Sequence, residues 1–219
     1  MFGKNPKLKV EYGDGRILKV HKIFKTFQGE GPYVGYPSIF IRLSGCNLAC
    51  SFCDTEFDSY QEMSVDSIML EVNNISGQIK TLIVITGGEP FRQNISILCE
   101  RLIANGNIVQ VETNGTIISP ELPEQVKIIC SPKVSNSKYH KVRPDIIKKA
   151  IAVKFIISTH YNEYSDIADV GQGSLPVYIQ PMDEYDREKN VKNLNLAMEL
   201  CFKYNGILCL QTQKFLGIE

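Results

Sequence analysis

The chain has 219 residues, 24 basic against 24 acidic side chains, zero formal net charge and an apolar fraction of 43%. That length suits one domain, residues 1–219, able to bury a sizeable core without disulfides or metal staples. The balanced charge gives no support to nucleic-acid or membrane binding driven by bulk charge, and no apolar run is long enough to span a bilayer. The opening MFGKNPKLKVEYGDG lacks the hydrophobic centre of a signal peptide, so a cytoplasmic setting with reduced thiols is expected.

In chain order, short β-branched runs recur as SIFIRLS (38–44), TLIVIT (81–86), NIVQVE (107–112), VKIIC (126–130), AVKFIIS (152–158), VYIQ (177–180) and ILCLQ (207–211). They are continuously apolar rather than alternating, as in strands of a parallel sheet buried on both faces. Helical segments fall between several of them. SVDSIMLEVNNISG predicts a helix with Ser64 as N-cap, Val65, Ile68, Met69 and Val72 at helical spacing, and Gly77 at its end. NISILCERLIANG closes at Gly106 and REKNVKNLNLAMELCFKYNG at Gly206 in the same manner. The repeat of strand, helix and strand implies right-handed βαβ units. With about six or seven strands rather than eight, the expected fold is α/β, a partial (shortened) β/α barrel with a parallel sheet; an open doubly wound sheet is the alternative.

Ligands of parallel β/α folds bind at the carboxyl ends of the strands, which here read GCN, TGGEP, ETNG, SPK, QPM and QTQK. GCNLACSFCDTEF (45–57) puts Cys46, Cys50 and Cys53 in one loop after the first core strand. The other four of the seven cysteines, Cys99, Cys130, Cys201 and Cys209, stand singly in apolar stretches and read as small core residues. Structural zinc wants four protein ligands, commonly two CxxC or CxxH pairs; no second pair exists, and His21, His140 and His160 are isolated. A catalytic zinc on three cysteines stays open, although such ligands are rarely packed into one short loop. A redox CxxC uses Cys50 and Cys53 and leaves Cys46 idle. A [4Fe–4S] cluster normally takes four thiolates, so three leave one iron open to another ligand. In TGGEP, Gly87 and Gly88 let a backbone approach a ligand and Glu89 offers an acceptor to an ammonium group. The plainer reading is a strand-ending turn with Pro90 opening a helix.

The CxxxCxxC loop resembles the cluster loop of radical S-adenosylmethionine (SAM) enzymes. With KTFQGEGPYVGYPSIFIRLSGCN before it and ITGGEP, ETNG, SPK, QPM and LQTQKFLGI after it, the chain resembles the 7-carboxy-7-deazaguanine synthases over almost its whole length. That resemblance implies a radical SAM lyase of queuosine and 7-deazapurine biosynthesis. Its reaction contracts the ring of 6-carboxy-5,6,7,8-tetrahydropterin to give 7-carboxy-7-deazaguanine and ammonia. It further implies that Cys46, Cys50 and Cys53 ligate a [4Fe–4S] cluster whose open iron chelates SAM, and that SAM is cleaved to a 5′-deoxyadenosyl radical and regenerated. No side chain is expected to be catalytic in its own right, because the protein positions and shields the radical.

By the same resemblance, SAM is contacted by Phe52 (against the adenine), Gly88 and Glu89 (at the methionine amine), Ser131, Pro132 and Lys133 of SPK, and Gln180, Pro181, Met182 and Asp183 of QPMD. Asp54 tunes the charge beside it. Phe27, Gln28 and Gly29 of FQGEG, Arg42, Thr86 and the terminal Glu219 bind substrate, and Thr55 helps hold an Mg²⁺ that bridges substrate oxygens. Glu112 and Asn114 lie on the same rim with less defined roles. The residue types suit these tasks. Gln28 offers donors and acceptors to a pterin edge, and Arg42 can pair a carboxylate bidentately, worth about 1.5–3 kcal/mol per bond, or else sits in a salt bridge. Mg²⁺ takes octahedral oxygen ligands and keeps waters; read without the resemblance, Thr55 is a turn or helix cap. One departure shows: the family's tail often reads QTHK, whereas this chain has Gln213 in QTQK, which cannot become cationic. The family also suggests a homodimer, a flavodoxin or ferredoxin as electron donor, and no nucleic-acid or membrane partner. Two rivals remain, a small radical SAM activase that installs a glycyl radical on a partner protein, and a scaffold stabilised by a structural metal.

Overall fold

The computed structural model describes residues 5–119, 121–135, 138–169 and 175–218. They fall into two compact units, one of residues up to 28, 35–113 and 117–128, the other of 29–34, 114–116 and from 129 onward.

The first unit is built on β1 (Ile17–Phe27), β2 (Pro37–Leu43), β3 (Gln61–Ser64), α1 (Val65–Ser76), β4 (Leu82–Gly87), α2 (Ser96–Ala104) and β5 (Ile108–Thr113). Strands β2, β4 and β5 run parallel in that spatial order, while β1 lies antiparallel to β2 on one side and β3 on the other. The continuously apolar runs behave as expected: Leu82, Ile83, Val84 and Ile85 are all buried, so β4 is covered on both faces. Strand β1 escaped that criterion because ILKVHKIFKTF interleaves Lys19, Lys22 and Lys25 with apolar residues and buries only alternate positions over its first half. Helix α1 is capped as expected. Ser64 Oγ accepts from the Ser67 amide at 3.1 Å, and Gly77 takes a left-handed φ of 60°. Because β2, β4 and β5 are parallel, GCN, TGGEP and ETN leave the same edge of the first unit's sheet.

Strand β6 (Lys127–Cys130) begins in the first unit and ends in the second. The second unit continues with a short antiparallel pair, β7 (Val134–Ser135) and β8 (Lys138–Tyr139), then α3 (Pro144–Lys149), β9 (Ala150–Ile157), β10 (Val177–Pro181), α4 (Arg187–Tyr204), β11 (Ile207–Leu208) and α5 (Thr212–Leu216). Strands β9, β10 and β11 are parallel, and α4 lays Ala197 and Leu200 on Val153, Phe155, Ile157, Val177 and Ile179. Two expectations are corrected here. The run ILCLQ forms only a two-residue strand, because the chain leaves the ladder after Leu208 and turns through Gln211 into α5. Helix α4 is terminated by Asn205, left-handed at φ 52°, rather than by Gly206; a Cβ at 206 would lie 2.8 Å from Ile179 Cδ1, so that side chain would have to shift.

Cys99, Cys130 and Cys209 are buried as expected, whereas Cys201 on α4 is half-buried. No described helix is long and apolar enough to cross a membrane.

Candidate active site

In the first unit the cysteine loop is gripped where it leaves β2. Gly45 has φ +82°, and its carbonyl accepts from the Glu89 amide at 3.0 Å while the Leu43 carbonyl accepts from Gly88 N at 3.2 Å. A Cβ on Gly88 would stand 2.2 Å from Gly45 O, and one on Gly87 would stand 2.0 Å from Leu43 O. These glycines permit a close approach between two stretches of the chain's own backbone. Buried Glu89 caps the 3₁₀ turn opened by Pro90, its Oε1 accepting from the Phe91 amide at 3.1 Å and from Thr113 Oγ1 at 2.8 Å. The strand-ending turn is thus present, and Glu89 is anchored within it.

Cys46, Cys50 and Cys53 are half-buried free thiols. The Leu48 amide reaches Cys46 Sγ at 3.4 Å and the Cys53 amide donates to Cys50 O at 3.2 Å. Burial pushes the Cys46 thiol up to about 12, and Glu89, Cys50 and Cys53 push the same way against the Leu48 hydrogen bond. From outside the loop, Asn5 Nδ2 contacts Cys53 Sγ at 3.6 Å and Thr55 O at 2.9 Å, and Leu8 N donates to Cys46 O at 2.7 Å. Thr55 Oγ1 lies 3.3 Å from Asp54 Oδ1, which is exposed. Arg42 and Thr86 are cross-strand neighbours on β2 and β4, with the Arg42 guanidinium 5.3 Å from the Phe24 ring centre. Gln28 is buried and donates to Glu112 Oε1 at 3.1 Å, as buried Gln110 does at 2.9 Å; among the described residues Gln110 Oε1 has no hydrogen-bond partner. Phe27, next to Gln28, is half-exposed.

In the second unit the Lys133 ammonium folds back on Ser131, 2.8 Å from its carbonyl and 2.6 Å from its hydroxyl. Asn114 spends its Oδ1 on a turn, accepting from Thr116 N and Oγ1 at 2.9 and 2.6 Å. Buried Gln180 accepts from Cys209 Sγ at 3.4 Å. Met182 is tied by its amide to Ile157 O at 2.8 Å and by its carbonyl to Asn193 Nδ2 at 3.0 Å. Asp183 is partly buried, which disfavours its charge. Hydrogen bonds from the Tyr185 amide, Lys214 and Asn190 outweigh that and hold its pKa below the ordinary carboxylate value. Pro181, Met182 and Asp183 border an open cavity of about 480 Å³ that Leu194 of α4 and Lys214 and Phe215 of α5 also line.

Gly29 and Glu30 head a second cluster within this unit. Gly29 O accepts from Thr212 N and Oγ1 at 3.1 and 3.0 Å, and a Cβ there would fall 1.8 Å from Gln213 Oε1. The Glu30 carboxylate forms a buried ion pair with Lys154, and its Oε1 accepts from Gln211 and Gln213 side chains at 3.0 and 2.9 Å. Burial opposes its ionisation, but Lys154 and the two amides hold its pKa well below the ordinary value. Glu219 lies outside the described residues.

Residues 40–135 match the family model described as the Radical SAM superfamily. The chain is 51% identical over its whole length to the 7-carboxy-7-deazaguanine synthase of Rickettsia prowazekii, covering 96% of that protein. It is 32% identical to the synthase of the same name from Rhodospirillum rubrum, with both chains covered in full. This chain belongs to the 7-carboxy-7-deazaguanine synthase family. Its fold is likewise that of the crystal structure of QueE from Escherichia coli, with a TM-score of 0.71 over 89% of this chain and 93% of that one at 24% identity.

Membership of the radical SAM superfamily implies a [4Fe–4S] cluster and SAM. The donor set fits a cluster. Three soft sulfurs sit on one loop, and the burial that raises Cys46, with a smaller push from Glu89, Cys50 and Cys53, is what a cationic iron core offsets. Among the described residues no three His, Cys, Asp or Glu side chains already close on a common ion. Reading the sequence missed several residues that brace the cysteine loop in the first unit or the Gly29 turn in the second. Lys154 was visible as the lone charge in AVKFIIS. Asn5, Glu11, Glu30 and Arg92 carried no such signal, because their partners lie far along the chain.

Proposed function

We propose that this chain catalyses the radical SAM-dependent ring contraction of 6-carboxy-5,6,7,8-tetrahydropterin to 7-carboxy-7-deazaguanine with release of ammonia. The observation that carries this reading is the CxxxCxxC loop clamped to GGEP by backbone contact, in a chain 51% identical end to end to a named synthase. Cys46, Cys50 and Cys53 hold the cluster, and bound there with SAM it supplies the electron and the carbon radical that the reaction needs. Gly88 and Glu89 receive the methionine amine of SAM, Phe52 its adenine, with Asp54 tuning the local charge.

Arg42 binds the substrate carboxylate, an assignment supported by Thr86 standing beside it in register. Gln28 presents its amide to the pterin edge, steadied by Glu112; the unpartnered acceptor of Gln110 is suited to receive an N–H. Phe27 and Gly29 flank that edge. In the second unit Ser131, Pro132, Lys133 and Gln180 to Asp183 are assigned to SAM, supported by the bonds that fix Lys133, Met182 and Asp183. Thr55 offers a hard hydroxyl oxygen to Mg²⁺, and Asp54 beside it tunes the charge without coordinating. Glu219 is assigned to substrate from the family resemblance alone. Free thiols at all seven cysteines support a reducing, cytoplasmic setting, and exposed Phe202, Phe215 and Leu216 support a homodimer. The electron donor is assigned to the flavodoxin or ferredoxin class.

The test is an anaerobic assay of iron–sulfur-reconstituted protein with SAM, dithionite, Mg²⁺ and the pterin, read by mass spectrometry. Formation of 7-carboxy-7-deazaguanine without stoichiometric loss of SAM is expected. SAM cleavage with the pterin untouched rejects the substrate, and failure to bind iron rejects the cluster.

A further inference from the structure

The N-terminal segment carries none of the motifs that announce the site, yet within the first unit it touches the cysteine loop at both ends. Lys7 pairs with Cys46 as a parallel bridge, and Leu8 N donates to Cys46 O at 2.7 Å. At the other end a single amide group, Asn5 Nδ2, meets two acceptors two residues apart, Cys53 Sγ at 3.6 Å and Thr55 O at 2.9 Å. An NH₂ group has two hydrogens, so each acceptor can be served by its own N–H. The segment is held by buried Arg92, whose Nη1 donates to Lys9 O at 3.0 Å and Glu11 Oε1 at 2.8 Å, and whose Nη2 donates to Ser44 O at 3.1 Å at the root of the loop. Glu11 N returns a bond to Arg92 O at 2.8 Å. Asn5 therefore reaches Cys53 from a preorganised support.

We propose that Asn5 is a positioning residue that hydrogen-bonds the Cys53 sulfur and thereby raises the reduction potential of the cluster carried by the loop. Adding one electron to a [4Fe–4S]²⁺ cluster increases the negative charge on its thiolate sulfurs, so an N–H aimed at one of them favours the reduced form. Removing the donor moves the midpoint to more negative values, and a carboxylate in its place moves it further. The inference rests on the reading that Cys46, Cys50 and Cys53 ligate the cluster.

The experiment is an electron-paramagnetic-resonance potentiometric titration of the [4Fe–4S]²⁺/¹⁺ couple in full-length, anaerobically reconstituted wild type, Asn5→Leu, Asn5→Asp and Asn5→Gln, with iron and sulfide assayed alongside. Expected midpoints fall in the order wild type, Asn5→Gln, Asn5→Leu, Asn5→Asp at wild-type iron content. If Asn5→Leu does not hold its cluster, the isosteric Asn5→Asp carries the measurement. Equal midpoints in cluster-loaded variants overturn the inference, as does loss of iron from every variant, which marks Asn5 as structural only. A wild type that binds no [4Fe–4S] cluster overturns the cluster assignment itself, a result distinct from either.

Discussion

The cysteine loop of the first unit and the Glu30 cluster of the second are held in opposite ways. The loop is fixed mainly by backbone: Gly88 N to Leu43 O, Glu89 N to Gly45 O and Leu8 N to Cys46 O, with glycines where a Cβ would collide. Glu30 is fixed by side chains, an ion pair with Lys154 and two glutamine amides on one carboxylate oxygen. Backbone clamping fixes the loop without joining its cysteine sulfurs in disulfides. Side-chain clamping uses up the charge of Glu30 and turns it into an internal brace for the Gly29 turn. A site that must bind a cofactor favours the first device, and a turn that must hold its shape in the interior can use the second.

The comparison breaks most completely at the sulfurs. Replacing Cys46, Cys50 or Cys53 by Ala is expected to reduce product formation to background while leaving the melting temperature close to wild type, because half-buried cysteines contribute little to the core. Iron analysis beside a thermal melt checks both halves. A large loss of stability in these variants would mean that the loop's thiols are structural.

Gly88→Ala comes next. Its Cβ would meet backbone atoms of Gly45 and Cys46 at 2.2 to 2.9 Å, which flexible side chains cannot relieve, so unfolding free energy should drop by about 4 kcal/mol or more. Denaturant unfolding measures this directly. An alanine tolerated at 88 would show that the clamp is adjustable.

Lys154→Met tests the other device. It leaves Glu30 buried without its cation, for an expected loss of about 3 kcal/mol at neutral pH, whereas Glu30→Gln combined with Lys154→Met should recover most of it. The pH dependence sharpens the point. In the native chain Glu30 has a depressed pKa, so the stability it contributes is fully present above the ordinary carboxylate range and is lost as pH falls through the lowered value. In the Lys154→Met variant burial acts without Lys154, the pKa moves up, and the deficit should shrink as pH falls from 7 to 5. Denaturant melts of both proteins across that range distinguish the opposite signs.

The two devices also differ in how far they could be read from the chain. The CxxxCxxC spacing, the Pro90 turn and the capping of α1 by Ser64 and Gly77 are local, set by residues within a few positions of one another, and all were legible. Strand β4 was legible because Leu82 to Ile85 are four apolar residues in succession, and β2 and β5 because three β-branched or aromatic residues fall within four positions in each. Strand β1 was not, since its lysines alternate with apolar residues and only pairing with β2 and β3 makes it a strand. The backbone clamp at Gly87 and Gly88 was hidden for a similar reason, because a glycine shows that something comes close without saying that it is Leu43 or Gly45. Asn5 with Thr55, Arg92 with Glu11 and Glu30 with Lys154 are separated by 50, 81 and 124 positions, so only the fold brings them together.

The smallest expected effect lies at Lys214. Its ammonium is 3.0 Å from Asp183 Oδ2, but both side chains are about a quarter exposed, and Asp183 keeps the Tyr185 amide and the Asn190 side chain on its other oxygen. Lys214→Ala should therefore cost less than about 1 kcal/mol, a shift of no more than about 4 °C in melting temperature. Asp183→Ala, by contrast, strands the donors of Asn190 and the Tyr185 amide beside the 480 Å³ cavity and should cost more than the lysine change. If the two substitutions prove equal, the ion pair dominates there and the second unit relies on charge at this edge as it does at Glu30. If the aspartate change is clearly larger, the loop after β10 is held by hydrogen bonds to its own backbone and to α4, closer in kind to the clamp on the cysteine loop.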